Sequence, residues 1–125
     1  MESVDPREAY TRQQAGWTYV DVRSGPEFHS GRPNASINIP AFVPGPLGMA
    51  PITTFVADVL AQFDRETPLL IGCAAGGRSM RAIQQLEAAG FTRLVNVDGG
   101  FLGGRDAAGR PVAGWRNAGL PVAAG

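Results

Sequence analysis

The chain has 125 residues, eleven basic against eleven acidic, 44% hydrophobic content and a single cysteine. That length suits one domain spanning 1–125 with one real core. Zero net charge gives no electrostatic reason to expect nucleic acid as a partner, and no stretch nears the roughly 18 apolar residues that a membrane span needs. All eleven basic residues are arginine, which reads as a base-composition effect in an Ala- and Gly-rich chain. The start Met1-Glu2-Ser3-Val4-Asp5 has neither a basic nor an apolar leader region, so the expected location is cytoplasmic.

In chain order, Asp5-Pro6-Arg7-Glu8 reads as a helix start, with Asp5 as N-cap, Pro6 at the first helical position and Glu8 completing a capping box. Gly16 should stop that helix. Thr18 to Val22 reads as a short strand, Gly25 to Ser30 as a brief helix or turn, and Ser36 to Ile39 as a second strand closed by Pro40. Ala41 to Pro51, broken by proline and glycine, reads as a surface loop. Ile52, Phe55, Val56, Val59, Leu60 and Phe63 then fall at helical spacing and predict an amphipathic helix.

Leu69-Leu70-Ile71 is wholly apolar, as a central strand of a parallel sheet should be. The turn from Gly72 to Gly77 leads into a helix from Arg78, with Met80, Ile83 and Leu86 on one face and Gly90 closing it. Leu94 to Val97 is another strand. The tail carries Gly99-Gly100, a polar loop to Gly109, and an expected last helix around Gly114 to Ala118. Alternation of strands and helices predicts an α/β fold, a parallel sheet with helices on both faces.

Cys73 carries the chemistry. One cysteine cannot form an internal disulfide, and this one follows the most apolar strand and precedes a helix, where α/β sheets bind ligands. In Cys73-Ala74-Ala75-Gly76-Gly77-Arg78 the side chains are small or absent, so the N–H groups can converge as an anion-binding nest. Such a field lowers a thiol from about 8.5 into the range ~3.5–7.5. Arg78 adds a planar donor fork suited to an oxyanion. The bland alternative is a buried structural thiol.

Other readings fare worse. Gly72 and Gly77-Arg78-Ser79 approximate a P-loop, but arginine stands where its lysine belongs. Tyrosine-phosphatase-type loops place five residues between Cys and Arg; here there are four, leaving less room for a phosphoryl group. Gly99-Gly100-Phe101-Leu102-Gly103-Gly104 lacks the first element of a dinucleotide fingerprint. His29, the only histidine, lies in a polar turn and reads as surface. Without a Cys/His cluster no metal is expected, and no cofactor. Asp21, Arg23 and Glu27 read as a supporting polar network, and Trp17 and Trp115 as packing residues.

These residues together resemble the rhodanese family over almost the whole chain. Tyr19-Val20-Asp21-Val22-Arg23 with Glu27-Phe28 resembles its D-V-R…E-[FY] segment, and Gly31 to Pro40 its G-H-I-x-G-A-x-N-[IV]-P segment. Cys73 through Ser79 is similar to its C-x-x-G-x-R-S loop. Asp98-Gly99-Gly100-Phe101 and Trp115 through Val122 match its ending. Arg32 and Ala35 depart from the second segment, and residues 102–114 form a longer insertion than compact members carry.

The resemblance implies about five mainly parallel strands and a thiosulfate sulfurtransferase. Cys73 would take sulfane sulfur from thiosulfate or a similar donor, and the amides of Ala74, Ala75, Gly76, Gly77 and Arg78 would hold the persulfide. Cyanide or a cellular thiol would accept the sulfur, while Arg78 oriented the anionic donor. An arsenate reductase or phosphatase on the same fold, or a non-catalytic module, are the alternatives.

Overall fold

A computed structural model describes all residues, 1–125. It opens with a strand the sequence does not announce, β1 (Glu2–Val4). Helix α1 (Pro6–Gln14) follows, its N-terminal amides capped as expected by the Asp5 carboxylate, which accepts from the Glu8 amide at 2.9 Å. The Glu8 carboxylate does not complete a capping box; it turns to Arg12 one helical turn on. Strand β2 (Thr18–Asp21) leads into α2 (Gly25–Ser30). Here the capping box does close, Ser24 and Glu27 satisfying each other's amides.

Next come β3 (Arg32–Pro33) and β4 (Ile37–Asn38). The expected loop is a small antiparallel hairpin, β5 (Phe42–Gly45) with β6 (Gly48–Pro51). Helix α3 is only Phe55–Leu60; Ile52 and Phe63, at the ends of the periodic run, lie outside it. Strand β7 (Leu69–Gly72), helix α4 (Gly77–Ala88) and strand β8 (Leu94–Val97) follow the sequence reading closely. Residues 104–123 supply the short strands β9 (Gly104–Arg105), β10 (Pro111–Val112) and β11 (Val122–Ala123). The expected helix at Gly114–Ala118 is a run of turns instead.

The main sheet has order β1-β8-β7-β2-β4, every neighbouring pair parallel. One face is covered by α3 and α4 through Phe55, Val59, Ala82, Ile83 and Leu86, packed on Val20, Leu69 and Ile71. The other is covered by α1 and the tail through Ala9, Trp115 and Phe101, packed on Tyr19, Leu70 and Val95. Each fully buried aliphatic contributes about 1.5–3 kcal/mol. Met80, expected on the inner face of α4, is instead exposed, and Ser79 takes a buried position beside it. Because all five strands run one way, their carboxyl ends share one edge, and that edge holds Cys73, Asp21 and Asp98.

Candidate active site

Cys73 leaves the end of β7 into a turn that Gly76, at φ +115°, bends into α4. That angle is one only glycine adopts without strain. The bend brings the Gly76 amide to 3.0 Å from the Cys73 Sγ, to which it donates. The cysteine itself is 2% exposed, so reagents meet it only through the loop.

Behind the loop runs a second backbone segment that sets the direction of its peptides. Phe101 donates its amide to the Cys73 carbonyl and Leu102 to the Ala74 carbonyl, both at 2.8 Å. In a trans peptide the N–H points opposite its C=O. Pinning these two carbonyls backwards therefore turns the amides of Ala74 and Ala75 away from the strap. The strap can come this close because Gly100 and Gly104 have no Cβ; an added one would strike the Cys73 and Ala75 carbonyl oxygens. Gly114 in turn lies against Gly103 and Phe101, and Trp115 donates its amide to Gly100. Residues 100–104, which run into the inserted segment, are thus the backing of the loop.

On the inner side, Ser79 Oγ lies 3.5 Å from Sγ, 2.6 Å from Asn96 Oδ1 and 2.9 Å from the Gly76 carbonyl. A hydroxyl has one hydrogen, and two oxygens already compete for it. Its lone pair is left facing the sulfur, where it accepts from the neutral thiol. Asn96 donates onward to the Asp98 carboxylate at 3.2 Å and to Ser3 Oγ at 3.4 Å. Burial pushes the Asp98 carboxyl up, against the opposing pull of the Asn96 bond. Tyr19 packs its hydroxyl against Gly72, the residue before the cysteine, and burial raises it well above the usual phenol range.

Two arginines flank the loop, and both are occupied. The Arg78 fork is closed on Glu27, Nη1 to Oε1 at 2.8 Å and Nη2 to Oε2 at 2.9 Å. It ties the start of α4 to α2. Arg23 grips Asp21 the same way at 2.7–3.0 Å, with a further bond to the Gly31 carbonyl and its guanidinium over the Phe101 ring. The sequence reading joins Asp21, Arg23 and Glu27 in one polar network; the structure sets them in two separate pairs, Asp21 with Arg23 and Glu27 with Arg78. It gives the Arg78 fork to an incoming anion, whereas here a carboxylate already fills it.

His29 is exposed and reaches only the Gly125 carbonyl, at 3.2 Å. Asn96 and the strap amides went unread in the sequence. An asparagine inside Leu94-Val95-Asn96-Val97 was the available signal, since a polar side chain in a buried strand needs a partner.

The Arg78 pair, with lesser help from Ser24, lowers the Glu27 carboxyl to about 2. A depressed carboxyl adds stability that is full above its unfolded value near 4.5 and is lost as pH falls towards 2. About a third of the Glu27 side chain meets solvent, so screening should hold the effect to about 1 kcal/mol. Glu2 and Asp106 titrate in the same direction. Urea midpoints at pH 7 and pH 3 should therefore be compared between wild type and Glu27→Gln. The variant should lose less on acidification; an equal loss would mean the pair adds nothing.

The family described as Rhodanese-like domain matches residues 5–107. Thiosulfate sulfurtransferase 18 of Arabidopsis thaliana is 37% identical over 102 residues, 80% of this chain and 75% of that protein. Senescence-associated protein DIN1 of Raphanus sativus is 36% identical over 100 residues, but the chain spans only 55% of its length. Among solved structures, that of Rv0390 from M. tuberculosis superposes with a TM-score of 0.80 over 100% of this chain and 98% of that one, at 27% identity. No helix is long and apolar enough to cross a membrane.

Proposed function

The chain belongs to the rhodanese-like family, and on that footing we propose that it transfers sulfane sulfur through a persulfide on Cys73. The observation that carries this reading is the Gly76 amide on Sγ, in a strand-to-helix turn whose Cys73 and Ala74 carbonyls are tied to the strap. The Cys73 thiolate attacks the outer sulfur of thiosulfate; a new S–S bond forms, the old one breaks, and sulfite leaves with its electron pair. The terminal sulfur carries the negative charge, and the loop amides stabilise it where it develops. An acceptor thiolate or cyanide then attacks that sulfur and releases the Cys73 thiolate.

The resting thiol donates to Ser79 Oγ and gives its proton to solvent as the thiolate forms; His29, bonded to the Gly125 carbonyl, is not its base. Arg78 acts mainly by fixing the loop to α2, since a donor's oxygens would have to displace Glu27 to use its fork. The name of the Arabidopsis relative supports the choice of thiosulfate as donor. Intact mass tests the reading. The protein should gain one sulfur atom after incubation with thiosulfate, lose it on reduction, and gain nothing once its thiol is alkylated. No reductant-sensitive gain with thiosulfate or an organic persulfide would leave a non-catalytic module as the better reading.

A further inference from the structure

Asn96 is 1% exposed within the apolar strand β8, and its side chain bridges Ser79 and Asp98. Which of its two ends faces Ser79 follows from what the other end meets. An ionised carboxylate can only accept, so the amide nitrogen turns to Asp98, at 3.2 Å, and to Ser3 Oγ, at 3.4 Å. The amide oxygen is left 2.6 Å from Ser79 Oγ. It carries no hydrogen, so the hydrogen between the two belongs to the serine.

The Gly76 carbonyl, 2.9 Å from the same hydroxyl, is the weaker claimant. It already accepts the Met80 amide at 3.3 Å, whereas Asn96 Oδ1 has no other donor and would be stranded in the core. The Ser79 hydroxyl therefore points away from Cys73. What it turns to Sγ, 3.5 Å off, is a lone pair. A lone pair accepts from a thiol and repels a thiolate.

We propose that Asn96 is a positioning residue: by holding the Ser79 hydrogen, it keeps Cys73 a thiol at rest. Its meaning in turnover rests on the sulfur-transfer reading, since each thiolate that attacks a donor forgoes the Ser79 contact. Asp98 and Ser3 anchor the asparagine from its far side. The other titratable and charged groups about the sulfur are Tyr19, the Asp21–Arg23 pair and the Arg78–Glu27 pair, with Asp98 behind Asn96.

The test reads the sulfur directly in the full chain. Its two measurements at neutral pH are the rate of alkylation by iodoacetamide, an uncharged reagent, and the ultraviolet absorbance of the thiolate. Ser79→Ala removes the acceptor and should raise both, the rate severalfold. Asn96→Leu, close in volume, frees the serine hydrogen for the sulfur. It should raise the rate about tenfold, the low end of what a hydrogen bond to a charged group is worth. Asn96→Asp keeps an acceptor for Ser79 and should show no gain. With Ser79→Ala already present, Asn96→Leu should add nothing.

A rate at or below wild type in Ser79→Ala overturns the proposal, because the serine would then be a donor to the thiolate. That arm decides even if Asn96→Leu does not fold. Wild-type behaviour of Asn96→Leu overturns it as well, and so does a gain in Asn96→Asp. An undiminished gain from Asn96→Leu in the Ser79→Ala background also overturns it, since the variant would merely loosen the loop. Neither measurement needs a sulfur donor, so a failure of persulfide formation is seen only by mass and leaves this result standing.

Discussion

Arg23→Met is expected to destabilise the fold by about 3–5 kcal/mol, the usual cost of leaving one partner of a buried ion pair alone. Asp21 is 1% exposed and Arg23 3%, so water cannot replace the lost partner. Asp21 would keep the Arg23 amide and lose every bond from the guanidinium. The Gly31 carbonyl would lose its donor and Phe101 its stacked cation. Such a loss is a large share of the 5–15 kcal/mol that holds a typical domain together. The double variant Asp21→Asn, Arg23→Met should lose less than Arg23→Met alone, because no charge is stranded. Urea denaturation at neutral pH decides it: a loss under 1 kcal/mol for Arg23→Met would show that water or a repacked neighbour reaches Asp21.

Gly100→Ala should damage both stability and sulfur transfer, and a second glycine separates the causes. Gly100 sits at φ +53°, and a methyl group there would collide with the Cys73 carbonyl oxygen and the Ala74 carbonyl carbon. Gly109 also has positive φ, +78°, but an added methyl there meets open space. Gly109→Ala should therefore cost only the left-handed backbone penalty, about 1–2 kcal/mol. Gly100→Ala must in addition push the strap off the loop, stretching the bonds from Phe101 and Leu102. Its kcat/KM for sulfur transfer should drop at least about tenfold, the effect of some 1.4 kcal/mol at the transition state. Equal activity losses in the two variants would mean that the strap does not set the loop's geometry.

The sequence exposed those parts of the molecule where one local rule dominates. Asp5 and Pro6 start a helix, Leu69 to Ile71 make a central strand, and the glycines after Cys73 make the turn into α4. All three are read within a few residues of chain. The misses share a non-local origin. Strand β1 is three residues long, partly exposed, and exists only because β8 offers it an edge. Proline and glycine at 44–48 suggest a loop, yet a two-stranded hairpin tolerates Pro44 where no ladder donor is needed.

Gly114 begins no helix because its backbone is pressed against Gly103 and Phe101 from the strap. Met80 has the right spacing for the core of α4, but the start of that helix lies at the loop, where Ser79 turns inward to Asn96. At the candidate site, residue types and spacing single out Cys73 and the turn that follows it. Which carboxylate closes on which arginine depended on α2 and α4 meeting, and no spacing within the chain encodes that.

The strap behind the cysteine loop also bears on where the entropy of ordering is spent. A free glycine-rich turn would sample many peptide orientations, and a bound anion would have to select one at the cost of its own affinity. Here the Cys73 and Ala74 carbonyls are already held from behind by Phe101 and Leu102, and that cost is met once, during folding, by the burial of Phe101 and Trp115. On the proposed reading, an arriving sulfur would find dipoles that need not turn. A loop set in this way would bind a charge without reorganising, and release it without collapsing.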